Sequence, residues 1–325
     1  MKLFTILAVL SVASGAFAAV AKPTCGGTSS SKDTQLLTPT NPPRECVYHI
    51  KATSSYVCQL RIDFAWTLGQ PSVPSDENDL AYVECVNDYF QVGDLRLCGT
   101  ETNNHIYVPF NRTAGVTVVD LQIILASRVG YTGLPTPSWD ISVTQLECPT
   151  GASVRDLDFD MRSDLEFTPE ARATIKDGFL VAPPGCLQYF PSKSGVITSF
   201  NYNKATGIYP GNMNYAICFR RDTETTSLQL RTYHFQLGSE NESKLMSLDN
   251  YCYPQVRSST KSQDYLLVPQ AQIENSDIFA TYFCGESLDG AIVRSTNPGP
   301  LIMVFNSDAV YKKTEAGFYF TYKVL

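Results

Sequence analysis

Ten cysteines in two blocks of similar layout constrain this chain more than any other feature. The second block holds Cys186 and Cys218, then Cys252 and the pair Cys284-Gly285. The first holds Cys25 and Cys46, then Cys85 and the pair Cys98-Gly99, with Cys58 and Cys148 in addition. An even cysteine count in an oxidising compartment implies bridges. A doubled frame of this kind points to two stapled extracellular modules rather than one enzyme core.

The compartment follows from the first residues. Lys2 is a charged start, Leu3 to Val12 an apolar run, and Ala16-Phe17-Ala18 a small-x-small cleavage site. Residues 1–18 therefore read as a signal peptide, with an apolar run shorter than the roughly 20 residues that span a bilayer. No later stretch is long or apolar enough to insert in a membrane, so the chain is expected to be secreted and extracellular. The triplets Asn111-Arg-Thr113 and Asn241-Glu-Ser243 are glycosylation acceptors on the same route. A length of 325 residues fits two domains. The net charge of -7, without a basic stripe, argues against nucleic acid or an anionic membrane surface as partner.

Short alternating apolar stretches dominate: Val57 to Phe64, Val116 to Leu125, Trp139 to Leu146, Leu228 to Phe235, Leu301 to Phe305 and Phe318 to Tyr322. A period of two makes half-buried antiparallel strands, and many short strands between turn signals make a sandwich or barrel. Residues 149–185 read as an acidic connector containing the one plausible helix, Pro169 to Lys176. Its Asp156-x-Asp158-x-Asp160 run lacks the glycine and the closing glutamate of a calcium loop, since Phe167 stands at the twelfth position. A solvated acidic linker is the expectation.

The second block resembles a CUB domain. The resemblance rests on Gly195 to Tyr202, Tyr209 to Phe219, Leu228 to Leu237, Asp264 to Val268, Phe283-Cys-Gly285, Val304 to Asp308 and Gly317 to Tyr322. It departs from the family in the stretched segment between Cys252 and Asp264. The first block keeps the tight Cys85-Val-Asn-Asp88 form, Leu97-Cys-Gly99 and a closing strand ending at Cys148. Pro43 to Ile50, Val57 to Phe64, Asn104 to Tyr107 and Pro184 to Phe190 are similar to arthropod secreted proteins of this family.

The resemblance implies an all-β chain of two tandem jelly-roll-like antiparallel β-sandwiches, disulfide-stapled, over residues 25–148 and 186–325. It implies the pairs Cys25–Cys46, Cys85–Cys98, Cys186–Cys218 and Cys252–Cys284, which leaves Cys58 with Cys148. It also implies a calcium site at one end of each sandwich. In the second module Asp264 and Asp308 match the ligand pattern, whereas Gly238 holds the glutamate position, with Glu240 and Glu242 nearby. In the first module Asp88 matches, but Gly69 and Arg128 hold the other positions, and an arginine there would repel a cation. Calcium at Asp264 and Asp308 is the one metal expectation, and no other cofactor is expected.

An enzyme needs a nucleophile, a base and a water-excluding pocket at matched positions. His49, His105 and His234 are the only histidines, and no His-Glu-x-x-His, Gly-x-Ser-x-Gly or Walker loop occurs. His234 reads as a structural strand residue and His105 as part of a polar loop. The expectation is a secreted non-catalytic adaptor that recognises an extracellular protein or a glycan. The alternatives are a detached regulatory relative of a CUB-bearing extracellular protease and a structural component of an extracellular matrix.

Overall fold

A computed structural model describes residues 20–73, 83–129, 133–148, 177–238, 247–252, 264–311 and 315–325. The expected signal peptide, the Asp156 to Asp160 run, the expected helix from Pro169 and the Asn241 acceptor lie outside the described residues. Among the described residues the regular structure is strand, interrupted by short 3-10 turns.

The first module is two sheets. Strands are numbered along the chain. One sheet runs β1 (Thr28–Ser29), β3 (Glu45–Lys51), β8 (Val118–Ile124), β5 (Tyr89–Val92), β6 (Leu95–Leu97). The other runs β2 (Asp33–Leu37), β9 (Ser138–Glu147), β4 (Val57–Thr67), β7 (Thr100–Pro109). Alternation along β4 explains the layering. Leu60, Ile62, Phe64 and Trp66 are buried on the inner face, and Gln59, Arg61 and Asp63 lie on the other. Phe64, Trp66 and Phe90 meet between the sheets with ring centroids 4.3–5.5 Å apart.

In the second module the two layers are one continuous sheet. Its order is β10 (Cys186–Phe190), β12 (Asn214–Phe219), β17 (Leu301–Asn306), β14 (Tyr265–Ile273), β16 (Ile292–Ser295), β13 (Leu228–Gln236), β18 (Gly317–Val324), β11 (Ser194–Thr198), with β15 (Phe279–Phe283) paired to β14. The fold-over happens within β14, which pairs β17 through Tyr265–Leu267 and β16 through Ala271–Ile273. Pro269 and Gln270 make the corner, and Gln270 takes a φ of 46° there. Strands that switch layers at a bend are how sandwiches turn corners. Phe235, Phe305, Phe318 and Phe320 fill the space inside.

Both modules begin alike. The first strand of each lies parallel to the strand bearing the second cysteine, β1 on β3 and β10 on β12, while the other pairings are antiparallel. Cys25–Cys46 and Cys186–Cys218 tie those parallel strands together. Cys85–Cys98, Cys252–Cys284 and Cys58–Cys148 are the other bridges. Cys58–Cys148 spans 90 residues, and closing a loop of that length restricts the unfolded chain by about 4–5 kcal/mol. The same bridge is packed with Tyr107 and Leu146 against Val181, Ala182, Tyr189 and Cys218. It therefore lies where the two halves meet.

Candidate functional site

The outer face of the β2-β9-β4-β7 sheet carries polar residues, as alternation requires of a face turned to water. In the structure part of that face is turned to the second module instead. Asn201, in the turn after β11, is fully buried there. Its backbone N–H donates to Glu101 Oε1 at 2.6 Å, and its Oδ1 accepts the Thr100 N–H at 2.9 Å. Its Nδ2 donates to Gln70 Oε1 at 2.7 Å and to the Ile208 carbonyl at 2.8 Å. Asn201 holds φ at 56°, a left-handed conformation that asparagine tolerates. Gly99 of the first Cys-Gly pair makes the approach possible: a Cβ on it would sit 2.1 Å from Asn201 Oδ1, at a φ of 82°.

Around this anchor further buried polar groups are held within β7 and across the boundary. Asn104 Nδ2 donates to Glu101 Oε2 at 2.8 Å. His105 Nε2 lies 2.9 Å from the Tyr189 carbonyl and 3.3 Å from the Tyr189 nitrogen. That one nitrogen holds either bond according to its tautomer, and the imidazole covers β10, an edge strand of its sheet. Gln59 plays the same part for the connector, accepting the Ala182 N–H at 2.8 Å and donating to its carbonyl at 3.3 Å. Lys32 pairs with Asp177 at 2.8 Å. Residues 177–182 are accordingly bound to the first module.

Two of these groups are titratable and buried without exposure to water. Glu101 is pushed up to about 8 by burial, against hydrogen bonds from Asn104 and Asn201 that oppose the shift. His105 is brought down to about 4, by burial first and then by the Arg61 charge, with Asp63 and the Tyr189 hydrogen bond opposing. Tyr215 also feels the Glu101 carboxylate.

The loop ends of the sandwiches hold the expected cation ligands. In the second module both oxygens of Asp264 are used: Oδ2 accepts the Tyr209 hydroxyl at 2.6 Å and Oδ1 accepts the Asp308 N–H at 2.6 Å. Burial and then the neighbouring Asp308 carboxylate raise Asp264 well above the usual carboxylate range. The Gly238 N–H donates to the Tyr209 hydroxyl at 2.8 Å. Among the described residues no three acidic, histidine or cysteine side chains gather as a metal cluster. In the first module the Asp88 carboxylate is bound by Arg128 through two nitrogens, at 2.6 and 2.7 Å.

The histidines separate by role. His49 pairs with Asp120 at 2.7 Å on an open sheet face, and its other ring nitrogen makes no hydrogen bond among the described residues. His234 on β13 packs its ring 5.5 Å from Tyr202. A bulge between Thr232 and His234 brings Tyr233 out beside Tyr319, with centroids 5.4 Å apart. Tyr202 stacks on Tyr319 at 5.9 Å, so three tyrosines form an aromatic platform, and Tyr233 is 56% exposed. Asn111 is exposed, and its Oδ1 accepts the Ala114 N–H.

The description of the animal CUB domain matches residues 183–325. The CUB1-EGF-CUB2 domains of rat MASP-1 align with 14% identity over 91% of this chain and 99% of that chain, at a TM-score of 0.27. The corresponding human MASP-1/3 domains align with 13% identity over 91% of this chain and 100% of that one, also at 0.27. A MASP-1 CUB2 domain bound to calcium aligns with 18% identity over 42% of this chain and 97% of that one, at 0.22. No curated protein matches the chain.

The interface makes its own pH dependence. The folded chain keeps the Glu101 proton up to about 8, whereas an unfolded glutamate loses it near 4.5, so this contribution is whole at low pH and lost as pH rises through 8. His105 runs the other way: an unfolded histidine takes a proton near 6.5, the folded one only near 4, and stability is lost as pH falls between them. Between those unfolded values the two proton terms cancel. Comparison of thermal midpoints for the parent and Glu101→Gln isolates the first term. The parent is expected to lose about 2 kcal/mol more than the variant between pH 6.5 and 8. Parallel profiles would mean that Glu101 enters the fold ionised.

Proposed function

We propose that this chain is a secreted, non-catalytic binding protein in which two CUB modules, residues 25–148 and 186–325, are locked together and recognise an extracellular protein. The observation that carries this reading is the buried Asn201–Glu101–His105 contact. It uses the most deeply buried histidine of the chain as a structural group and fixes two loop-bearing sandwiches as one surface. CUB domains are extracellular interaction modules, and residues 183–325 match one. The five disulfides suit an oxidising compartment. Rigid sandwiches present loops and faces for recognition, and the Tyr202–Tyr233–Tyr319 platform is the aromatic surface from which contact is expected. A glycan would use the same rings, and glycan-array signal without a protein partner would redirect the reading.

Calcium at Asp264 and Asp308 belongs to the same proposal. Asp264 Oδ1 accepts the Asp308 N–H, so the two acidic residues are neighbours, and a divalent cation would offset their negative charges. With calcium in excess over chelator the melting midpoint is expected to rise, and Asp308→Asn should abolish the rise. Equal midpoints in the parent would remove calcium from the account.

The binding reading is tested by capture from extracellular fluid with three proteins: the intact chain, Asn201→Gly and Tyr233→Ala. Asn201→Gly keeps the left-handed backbone while deleting three of the hydrogen bonds described above, two of them across the boundary. The intact chain should retain a stoichiometric protein partner, and each variant should retain at least about tenfold less, the effect of losing about 1.4 kcal/mol. Undiminished capture by both variants, or hydrolytic turnover by the pure chain, would contradict the reading.

A further inference from the structure

In the first module a side-chain cation fills an oxygen-lined position at the loop end of the sandwich. Four oxygen atoms converge on the Arg128 guanidinium. They are Asp88 Oδ1 at 2.7 Å and Oδ2 at 2.6 Å, the Ala126 carbonyl at 2.9 Å and the Pro135 carbonyl at 3.1 Å. The Asp88 side chain has no exposed surface, while that of Arg128 is 33% exposed. The carboxylate also accepts the Gly69 N–H on Oδ2 and the Ala126 N–H on Oδ1, both at 3.0 Å. A single positive charge therefore gathers the segment after β4, the segment after β8, the approach to β9 and the residue before β5.

Carboxylate and carbonyl oxygens are the ligands a hard divalent cation takes. Guanidinium satisfies the same oxygens differently. It is planar, presents its donors in a fixed fork, keeps its charge across the physiological range and cannot be removed by a chelator. Position 69 agrees with this exchange. A Cβ on Gly69 would lie 3.2 Å from Asp88 Oδ2 and 3.0 Å from Leu134 Cδ2, so a side chain there would be crowded against the pair.

We propose that Arg128 is a built-in cation: it orders the loop end of the first module without metal, and its removal uncovers an oxygen-lined site that takes a divalent cation of the calcium class. The order of this end of the molecule is then indifferent to calcium. The opposite holds for the second module, where two carboxylates face each other. The inference does not rest on the proposed binding function.

The test uses the full chain carrying Asp308→Asn, which removes the second-module pair from the comparison. Thermal midpoints are measured in chelator and in about 10 mM calcium chloride, a concentration above the range of weak extracellular sites. The Asp308→Asn parent should not respond to calcium. Added Arg128→Ala should lower the midpoint in chelator and regain about 3 °C or more with calcium. Magnesium, which demands a tight octahedral shell, should restore less. Arg128→Lys keeps a charge in place and should show no calcium recovery. Recovery of folded Arg128→Ala only in calcium also supports the proposal. A calcium response in the Asp308→Asn parent, an Arg128→Ala protein that ignores calcium, or one that folds in neither buffer while Arg128→Lys folds, overturns it.

Discussion

The buried contact between Asn201 and the β7 strand joins the two halves of this chain, beside the apolar cluster around Cys58–Cys148 and the pairs Gln59–Ala182 and Lys32–Asp177. The contact is polar, and a buried polar surface stabilises only if its groups find partners. Here they do. Asn201 spends its carbonyl oxygen, both amide hydrogens and its backbone N–H on Thr100, Gln70, Ile208 and Glu101. Glu101 holds a proton instead of a charge, and His105 gives up its charge to lie against Tyr189. Breaking one member leaves the others unsatisfied in a dry site, which costs about 1–3 kcal/mol per group. Such a contact specifies one geometry, because a sliding interface could not pair these atoms.

The loop ends show how two sandwiches solve the same electrostatic problem in different ways. A buried carboxylate must be neutralised by a proton, a side chain or an ion. Asp88 has Arg128, a tether written into the sequence. Asp264 has the Tyr209 hydroxyl and the Asp308 N–H, with no cationic side chain hydrogen-bonded to it among the described residues. The consequence is an electrostatic asymmetry: one end is held by an ion pair within the chain, and the other by hydrogen bonds to a carboxylate that has no such partner among the described residues.

Strand positions were legible in the amino-acid sequence because alternation is a local property. Val57 to Phe64 and Trp139 to Leu146 lie within β4 and β9 of the structure. The interface was not legible. Glu101-Thr-Asn-Asn-His105 looks like a solvated loop, since polar residues facing water and polar residues facing another module are spelled alike. It is strand, and Glu101, Asn104 and His105 are buried. The signal that could have found them was the glycine of the Cys98-Gly99 pair, whose space is needed by a residue about a hundred positions away and not by its own turn alone. From the sequence an arginine at position 128 is expected to repel a cation; its pairing with the Asp88 carboxylate depends on a fold contact 40 residues apart that no local pattern spells.

The central claim is that the two modules share one fixed arrangement. Small-angle X-ray scattering of the intact chain tests it most directly, compared at low and high salt across the neutral pH range. The account predicts a single pair-distance distribution that one two-module arrangement fits, unchanged by salt, because the contact is buried and its carboxylate uncharged. A profile that requires an ensemble of module separations, or that broadens as salt is added, would contradict it.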